Sequence, residues 1–386
     1  MNPAIHIISH LFSQLDGLLA ACAPSIHRWM IITDAACAAA YRITDAPFIP
    51  AYIHCFTEPP HATLACAEEL TSVARCYQGI IAIGSGTIND LAKYAAHHAG
   101  IPYIIIASAP SMNGYISANA SLLHHGHKYS FPATPPLALF ADSEVLRHAP
   151  HRLIASGIGD VLCRSTVEAD MHYACLMQQS DYPVALFATM REKEANLLDA
   201  LTSANGMITD TLIHHLMACL LYGGQAMNAM GSSAPASQSE HMLVHVLEML
   251  APHITAHYFH GELVAAATLY ARTLQERIKE HIFPTPIFPD FPFEEIRNLF
   301  GEDTAKSWQI GYAEKANACR QYQGNAREYS PILSAAQLTH YLGMAGCPVD
   351  LYSLFPPEIL QHALLYVRFS RNRLTVWDYL ACDFYL

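Results

Sequence analysis

Residues 78–111, QGIIAIGSGTINDLAKYAAHHAGIPYIIIASAPS, set two short, wholly apolar runs on either side of a Gly-rich turn and a segment of helical period. A run without polar alternation is a strand buried on both faces, and a strand, helix, strand connection makes its two strands parallel. The same rhythm recurs on both sides of this stretch. RWMIITDAACAAAY reads as a strand ending at Asp34 and then a helix, and AYIHCFTEPPH as a strand ending near Phe56. A helix follows over about residues 62–76, and PLALFADSEVLRHAPHRL supplies a further strand and helix. SLLHHGHKYSFPA reads as two short strands around Gly126. Such alternation predicts an α/β half with a parallel sheet covered on both faces. The first 20 residues, MNPAIHIISHLFSQLDGLLA, read as an amphipathic helix; without a basic n-region they are not expected to be a signal peptide.

From about Pro150 the period becomes helical, in runs such as DVLCRSTVEADMHYACLMQQ and HLMACLLYGGQAMNAM. The expected division is an α/β domain over 1–148 and an all-α domain over 149–386. FPTPIFPDFPFEE, at 283–295, is expected to be a loop inside the helical half.

Only 14% of the residues are charged, against about 25% in ordinary soluble domains, and 52% are apolar, so a large core or a subunit interface is expected, and with it a homo-oligomer. A net charge of −12, with 21 Lys and Arg spread through the chain, argues against a nucleic-acid partner. The longest apolar runs fall well short of the roughly 20 residues of a membrane span. Eleven cysteines, an odd number without a C-x-x-C pair, fit free thiols used as small core residues in a reducing cytoplasm.

Two groups of residues carry chemistry. At Gly84, Ser85 and Gly86 a strand closes, and Thr87, Ile88, Asn89 and Asp90 begin a helix, so glycines permit close backbone approach while a helix N-terminus offers N–H groups to a phosphate. A plain β-to-α turn uses the same residues. Ser108, Ala109, Pro110 and Ser111, followed by Asn113, Gly114 and Ser117, lie after the next strand, at the same carboxyl edge where open α/β sheets bind ligands. Asp34 is either an acid for a ribose or a helix N-cap. In the second group, His241 and His245 share one helix face and His260 begins another helix, so three imidazoles can face one point. Asp160, bracketed by Gly157 and Gly159 in an apolar setting, is a candidate carboxylate for a divalent ion, a helix cap or half of an ion pair. His214, His215, His253 and His257 read as satisfied core or surface residues.

Taken together, G-S-G-T-I-N-D-L at 84–91, S-A-P-S-M-N-G-Y-I-S at 108–117, F-A-D at 140–142, S-G-I-G-D ending at Asp160, P-A-S-Q-S-E-H at 235–241 and H-G-E at 260–262 resemble the sn-glycerol-1-phosphate dehydrogenase family. That family stands in the wider group of 3-dehydroquinate synthase, glycerol dehydrogenase and iron-type alcohol dehydrogenases. The likeness spans roughly residues 29–270 and is loose over the last hundred. It implies a dehydroquinate synthase-like fold with the active site in the cleft between its domains. It also implies zinc, or another divalent metal, on Asp160, His241 and His260, with His245 at a small-molecule substrate. NAD or NADP is implied on Gly84, Ser85, Gly86, Thr87, Ile88, Ser108, Ala109, Pro110, Ser111 and Ser117, with Asp34 near the adenosine ribose. The family usually has Asp where this chain has Asn113, so the catalytic set expected here is His245, Asn113 and Asp160. The implied activity is interconversion of sn-glycerol 1-phosphate and dihydroxyacetone phosphate. Alternatives are a cyclase that uses NAD transiently and a non-catalytic zinc and nucleotide binder.

Overall fold

A computed structural model describes residues 3–43, 52–124, 127–178, 180–280, 286–319 and 332–379. Six strands form one parallel sheet: β1 (Ala4–Ile8), β2 (Trp29–Asp34), β3 (Tyr52–Phe56), β4 (Gly79–Gly84), β5 (Tyr103–Ala107) and β8 (Ala138–Asp142). Their order across the sheet is β1-β8-β5-β4-β2-β3. Between β5 and β8 the chain makes an antiparallel hairpin of β6 (Asn119–His124) and β7 (His127–Pro132). The expected pivot of that hairpin, Gly126, lies outside the described residues. Helices α1 (Leu11–Cys22), α2 (Ala35–Ala40), α3 (Leu64–Ala74), α4 (Gly86–Ala99) and α5 (Ser143–Arg147) alternate with the strands.

The inner strands are the apolar runs. Every residue of β4, β5 and β8 is buried, as strands covered on both faces must be. Edge strand β3 instead leaves Tyr52 and Ile53 exposed. Side chains stop the strands and start the helices: Asp34 accepts from the N–H of Cys37, Thr63 from that of Cys66, and Asp142 from those of Glu144 and Leu11.

The beginning of the chain differs from the expected helix. Ala4–Ile8 is an edge strand paired with β8, and only Leu11–Cys22 is helical. The run Ile5, His6, Ile7, Ile8 favours a pleated partner, and β8 has a free edge to supply one. Two of the cysteines read as core residues, Cys55 and Cys76, are exposed.

The rest of the described chain is helical: α6 (His151–Leu162), α7 (Arg164–Gln178), α8 (Val184–Ser203), α9 (Asp210–Met230), α10 (Ser239–Leu250), α11 (Pro252–Thr255), α12 (His260–Glu280), α13 (Phe293–Phe300), α14 (Glu302–Cys319), α15 (Ala335–Met344) and α16 (Pro357–Tyr366). The proline-rich stretch has no regular structure over 286–292, and α13 begins inside it at Phe293; its residues 283–285 lie outside the described ones. The division into compact units differs from a single cut near residue 148. One unit is residues 1–157 with 196–229, the other 158–195 with 230–386. Part of α8 and most of α9 therefore belong with the sheet. Asn228 shows why: its amide donates to Ile116 O (2.8 Å) and accepts from Ala118 N (2.9 Å), completing the loop after β5. In the helical unit, α10 and α12 carry the core through Met242, Leu243, Val246, Leu247, Leu263, Val264 and Ala267. No helix among the described residues is long and apolar enough to cross a membrane.

Candidate metal centre and nucleotide-binding edge

In the sheet unit, the strand order sets a particular edge. The connection from β2 runs outward to β3, while that from β4 runs the opposite way to β5, so the carboxyl ends of β2 and β4 flank a topological switch point. Asp34 ends one of these strands and Gly84 the other. At Gly84 a Cβ would stand 2.6 Å from the Cβ of Ile88, so only glycine lets the turn sit on that side chain. Ser85 is the N-cap of α4 without a side-chain cap bond, and no acid occupies the first turn, which leaves the positive helix end uncompensated.

The expected cofactor residues divide by their surroundings. Ser85, Gly86, Thr87 and Ser108 are half-buried at this edge, whereas Gly84, Ile88, Ala109, Pro110 and Ser111 are buried beneath it. Asp34 acts as the N-cap of α2 through a 2.8 Å bond from Cys37 N. The Cys37 thiol spans the edge, 3.5 Å from Asp34 Oδ2 and 3.4 Å from Ser108 Oγ, and burial pushes it up to about 12. Ser117 turns inward: its hydroxyl donates to Gly114 O and lies 3.4 Å from Lys93 Nζ.

Lys93 is the residue that the motif reading missed. Fully buried on α4, it donates to Gly114 O (2.7 Å) and Asn119 O (2.9 Å) and pairs with Asp90 at 3.4 Å. Burial pushes the Lys93 amine down and the Asp90 carboxyl up, each opposed by the other's charge. Asp90 in turn accepts from Ser121 N, so one ion pair ties the later part of the loop after β5 and the start of β6 to α4. An N-D-x-x-K run in a helix after a Gly turn was the available signal. Asn113 is half-buried in this loop, and Gly223 and Gly224 of α9 make room for it: a Cβ on Gly224 would lie 3.0 Å from Asn113 O. At Gly157 a Cβ would stand 1.8 Å from Pro110 O, so α6 meets the same loop backbone to backbone.

In the helical unit, one ligand atom from each of Asp160, His241 and His260 lies within 4.8 Å of the others, with Asp160 and His241 buried. His241 Nε2 is 3.4 Å from Asp160 Oδ1. A second close approach builds this: a Cβ on Gly159 would stand 2.3 Å from Gly261 O, so α6 and α12 touch at glycines adjacent to two of the three ligands. Glu262 fixes the start of α12 by accepting from Phe259 N at 2.8 Å.

Behind the histidines stand two carboxylates that sequence reasoning did not pick. Glu240 takes His241 Nδ1 at 2.8 Å, and Glu248 takes His245 Nδ1 at 3.0 Å and His260 Nδ1 at 3.4 Å. Such partners fix the imidazole tautomer and leave Nε2 for a metal. The helical spacing 241, 245, 248 predicts one face for all three, and that was the usable signal. His241 is held above its ordinary value, to about 9: burial lowers it, but bonding to Asp160 and Glu240 outweighs burial. A positive charge is favoured at this point, which is what an ion supplies. His245 stands beside the set, its ring 5.7 Å from that of His260.

A second donor group, Cys163, Glu240 and His241, fits an ion less well. Glu240 is already engaged by Thr166 Oγ1 (2.6 Å), Gln238 N (2.8 Å) and His241, and burial holds the Cys163 thiol protonated, donating to Asp160 O at 3.0 Å. The last hundred residues support α10 from below. Trp377 donates to Ser239 O and Arg373 to Ser237 O and Ser233 Oγ, while buried Lys315 ties Asp378 to Arg368 O.

An iron-containing alcohol dehydrogenase family model matches residues 12–150. A glycerol-1-phosphate dehydrogenase [NAD(P)+] of Bacillus licheniformis is 39% identical over 298 residues, covering 77% of this chain and 66% of that protein. The Pyrococcus furiosus enzyme of the same name is 35% identical over 192 residues, covering 49% and 54%. Among solved structures, an iron-containing alcohol dehydrogenase from Corynebacterium glutamicum shares the fold at a TM-score of 0.65 and 14% identity, covering 100% of this chain and 93% of that one. The chain belongs to the superfamily of the iron-containing alcohol dehydrogenases and glycerol-1-phosphate dehydrogenases. It spans between about half and two thirds of the length of these two curated relatives.

Proposed function

We propose that this chain is an NAD(P)-linked, divalent-metal-dependent dehydrogenase that interconverts a small polyol phosphate and its ketone, with sn-glycerol 1-phosphate and dihydroxyacetone phosphate as the pair to test first. The convergence of Asp160, His241 and His260 on one point carries this reading. Two imidazoles and a carboxylate suit zinc and leave a fourth position for substrate. When bound, such an ion supplies Lewis acidity to an alcohol or ketone oxygen, and the nicotinamide supplies the hydride.

The chain's own residues do the rest. Glu240 and Glu248 hold the ligand rings in the tautomer that binds, and Asp160 offsets the positive charge. His245, half-buried and bonded to half-buried Glu248, is the group placed to pass the alcohol proton toward solvent. At the sheet edge, Ser85, Gly86 and Thr87 offer N–H groups to a diphosphate, Ser108 adds a hydroxyl, and Asp34 Oδ2, which takes only the weak Cys37 thiol bond, can accept from a ribose. Gly84, Ile88, Ala109, Pro110, Ser111 and Ser117 support that edge. Asn113 offers an amide to a substrate hydroxyl.

The test is NADH oxidation by dihydroxyacetone phosphate with zinc-loaded protein. Net, metal-dependent consumption of NADH is expected. Binding of NADH and zinc without oxidation across polyols, sugars and their phosphates would contradict the reading.

A further inference from the structure

Residues 370–373, S-R-N-R, line an open cavity of about 380 Å³ in the helical unit, together with Ser307 and Trp308 of α14. The volume suits a small ligand. Arg371 and Arg373 both contribute to its wall, two cationic residues on one concavity. Arg164 and Arg272 of the same unit are paired with acids, Glu168 and Glu194 for the first and Glu276 for the second. Among the described residues no carboxylate forms an ion pair with Arg371 or Arg373; Arg373 donates only to neutral acceptors, Ser237 O and Ser233 Oγ. The acids that act on them, Glu240 and Glu248, are already engaged by the histidines of the metal centre. Burial and repulsion from Arg371 together pull Arg373 down to about 9. A guanidinium stays charged at neutral pH, so two such residues on one concavity are relieved by a shared anion.

We propose that this cavity binds a phosphate-class dianion, with Arg371 as the main gripping residue and Arg373 held beside it by Ser233 and Ser237. Two guanidinium forks match phosphate oxygens in geometry and charge, and the Ser307 and Ser370 hydroxyls and the Asn372 amide offer further donors. The dianion is either the phosphate of a phosphorylated small molecule or free phosphate, and the site does not depend on the redox reading.

The experiment is calorimetric titration of the full, zinc-loaded chain with inorganic phosphate. R371Q is compared with R371K and with R297Q, a change at an exposed arginine paired with Glu294. The wild type and R297Q should bind alike, R371Q at least about tenfold more weakly, and R371K in between. No binding by the wild type, or equal affinity in R371Q, would overturn the site. Zinc content measured on each variant confirms that the unit is intact, and the partial rescue by R371K is a result that misfolding does not give. A second titration adds glycerol 1-phosphate to the phosphate-saturated wild type. Displacement assigns the site to the phosphate of a phosphorylated ligand, and simultaneous binding assigns it to free phosphate; a glycerol 1-phosphate affinity indifferent to R371Q rules out the first source. NADH oxidation is not read in either titration, so a chain that fails as a dehydrogenase can still pass here.

Discussion

The candidate nucleotide-binding edge and the candidate metal centre are built by opposite means. The first is mostly backbone: glycines, a helix end and a loop held in place from within by Lys93 and Asp90. The second is mostly side chain: two histidines and an aspartate brought together, each imidazole backed by a carboxylate. Gly157 and Gly159 put the contrast in two contacts, one within each unit. The first lets α6 touch Pro110 of the nucleotide loop, and the second lets it touch Gly261 beside a metal ligand. One region is shaped by what the main chain is free to do, and the other by which side chains are present.

Substitutions can break that contrast. The largest effect is expected from K93M, which strands buried Asp90 without its cation and should cost about 3–5 kcal/mol in chemical unfolding. NADH affinity should fall with it, while zinc affinity of the folded fraction stays unchanged. H260A should give the reverse pattern, with zinc affinity lowered by more than the roughly 10–100-fold typical of losing an outer-shell partner, and with NADH binding retained in a direct titration. The glycine pair sharpens the comparison further. G157A and G159A each force backbone apart and should cost about 1–3 kcal/mol, the first at the expense of NADH affinity and the second at the expense of zinc affinity. If both variants weaken the same ligand, the division between backbone and side-chain sites is wrong.

The last expectation is a pH slope from one buried carboxyl of the helical unit. Buried Asp170 accepts from Ser239 N, Val376 N and Gln275 Nε2, and burial pushes its carboxyl up to about 7. A folded value above the unfolded one means that its contribution is complete at acid pH and is lost as pH rises through about 7. Stability should therefore fall by up to about 1.4 kcal/mol per pH unit between pH 4 and 7 from this group. D170N should remove that slope when urea unfolding is followed at pH 5, 6 and 7.

Much of this was legible in the sequence because the two regions write themselves differently. The sheet showed in apolar runs such as GIIAIG and YIIIA, since strands covered on both faces cannot hide their composition. The candidate metal ligands showed only in combination: His241 and His245 four apart on one helix mean little alone, and His260 at a helix start with Asp160 between two glycines completed the set. Glu240 and Glu248 did not stand out, since an acid on a helix is usually a solvated one and its burial depends on the packing of distant elements. Lys93 was hidden for the same reason. The first strand was missed because five residues before a helix share its apolar repeat, and only the free edge of β8 decides between the two. The membership of α9 in the sheet unit had no local signal at all: Asn228 bonds to residues more than a hundred positions earlier.

The most direct test of the metal centre is X-ray absorption of the zinc-loaded protein. Asp160, His241 and His260 predict a first shell of nitrogen and oxygen alone at about 2.0–2.1 Å, with two imidazole signatures. A sulfur scatterer at about 2.3 Å would place the ion instead on Cys163 with Glu240 and His241, and would contradict the account.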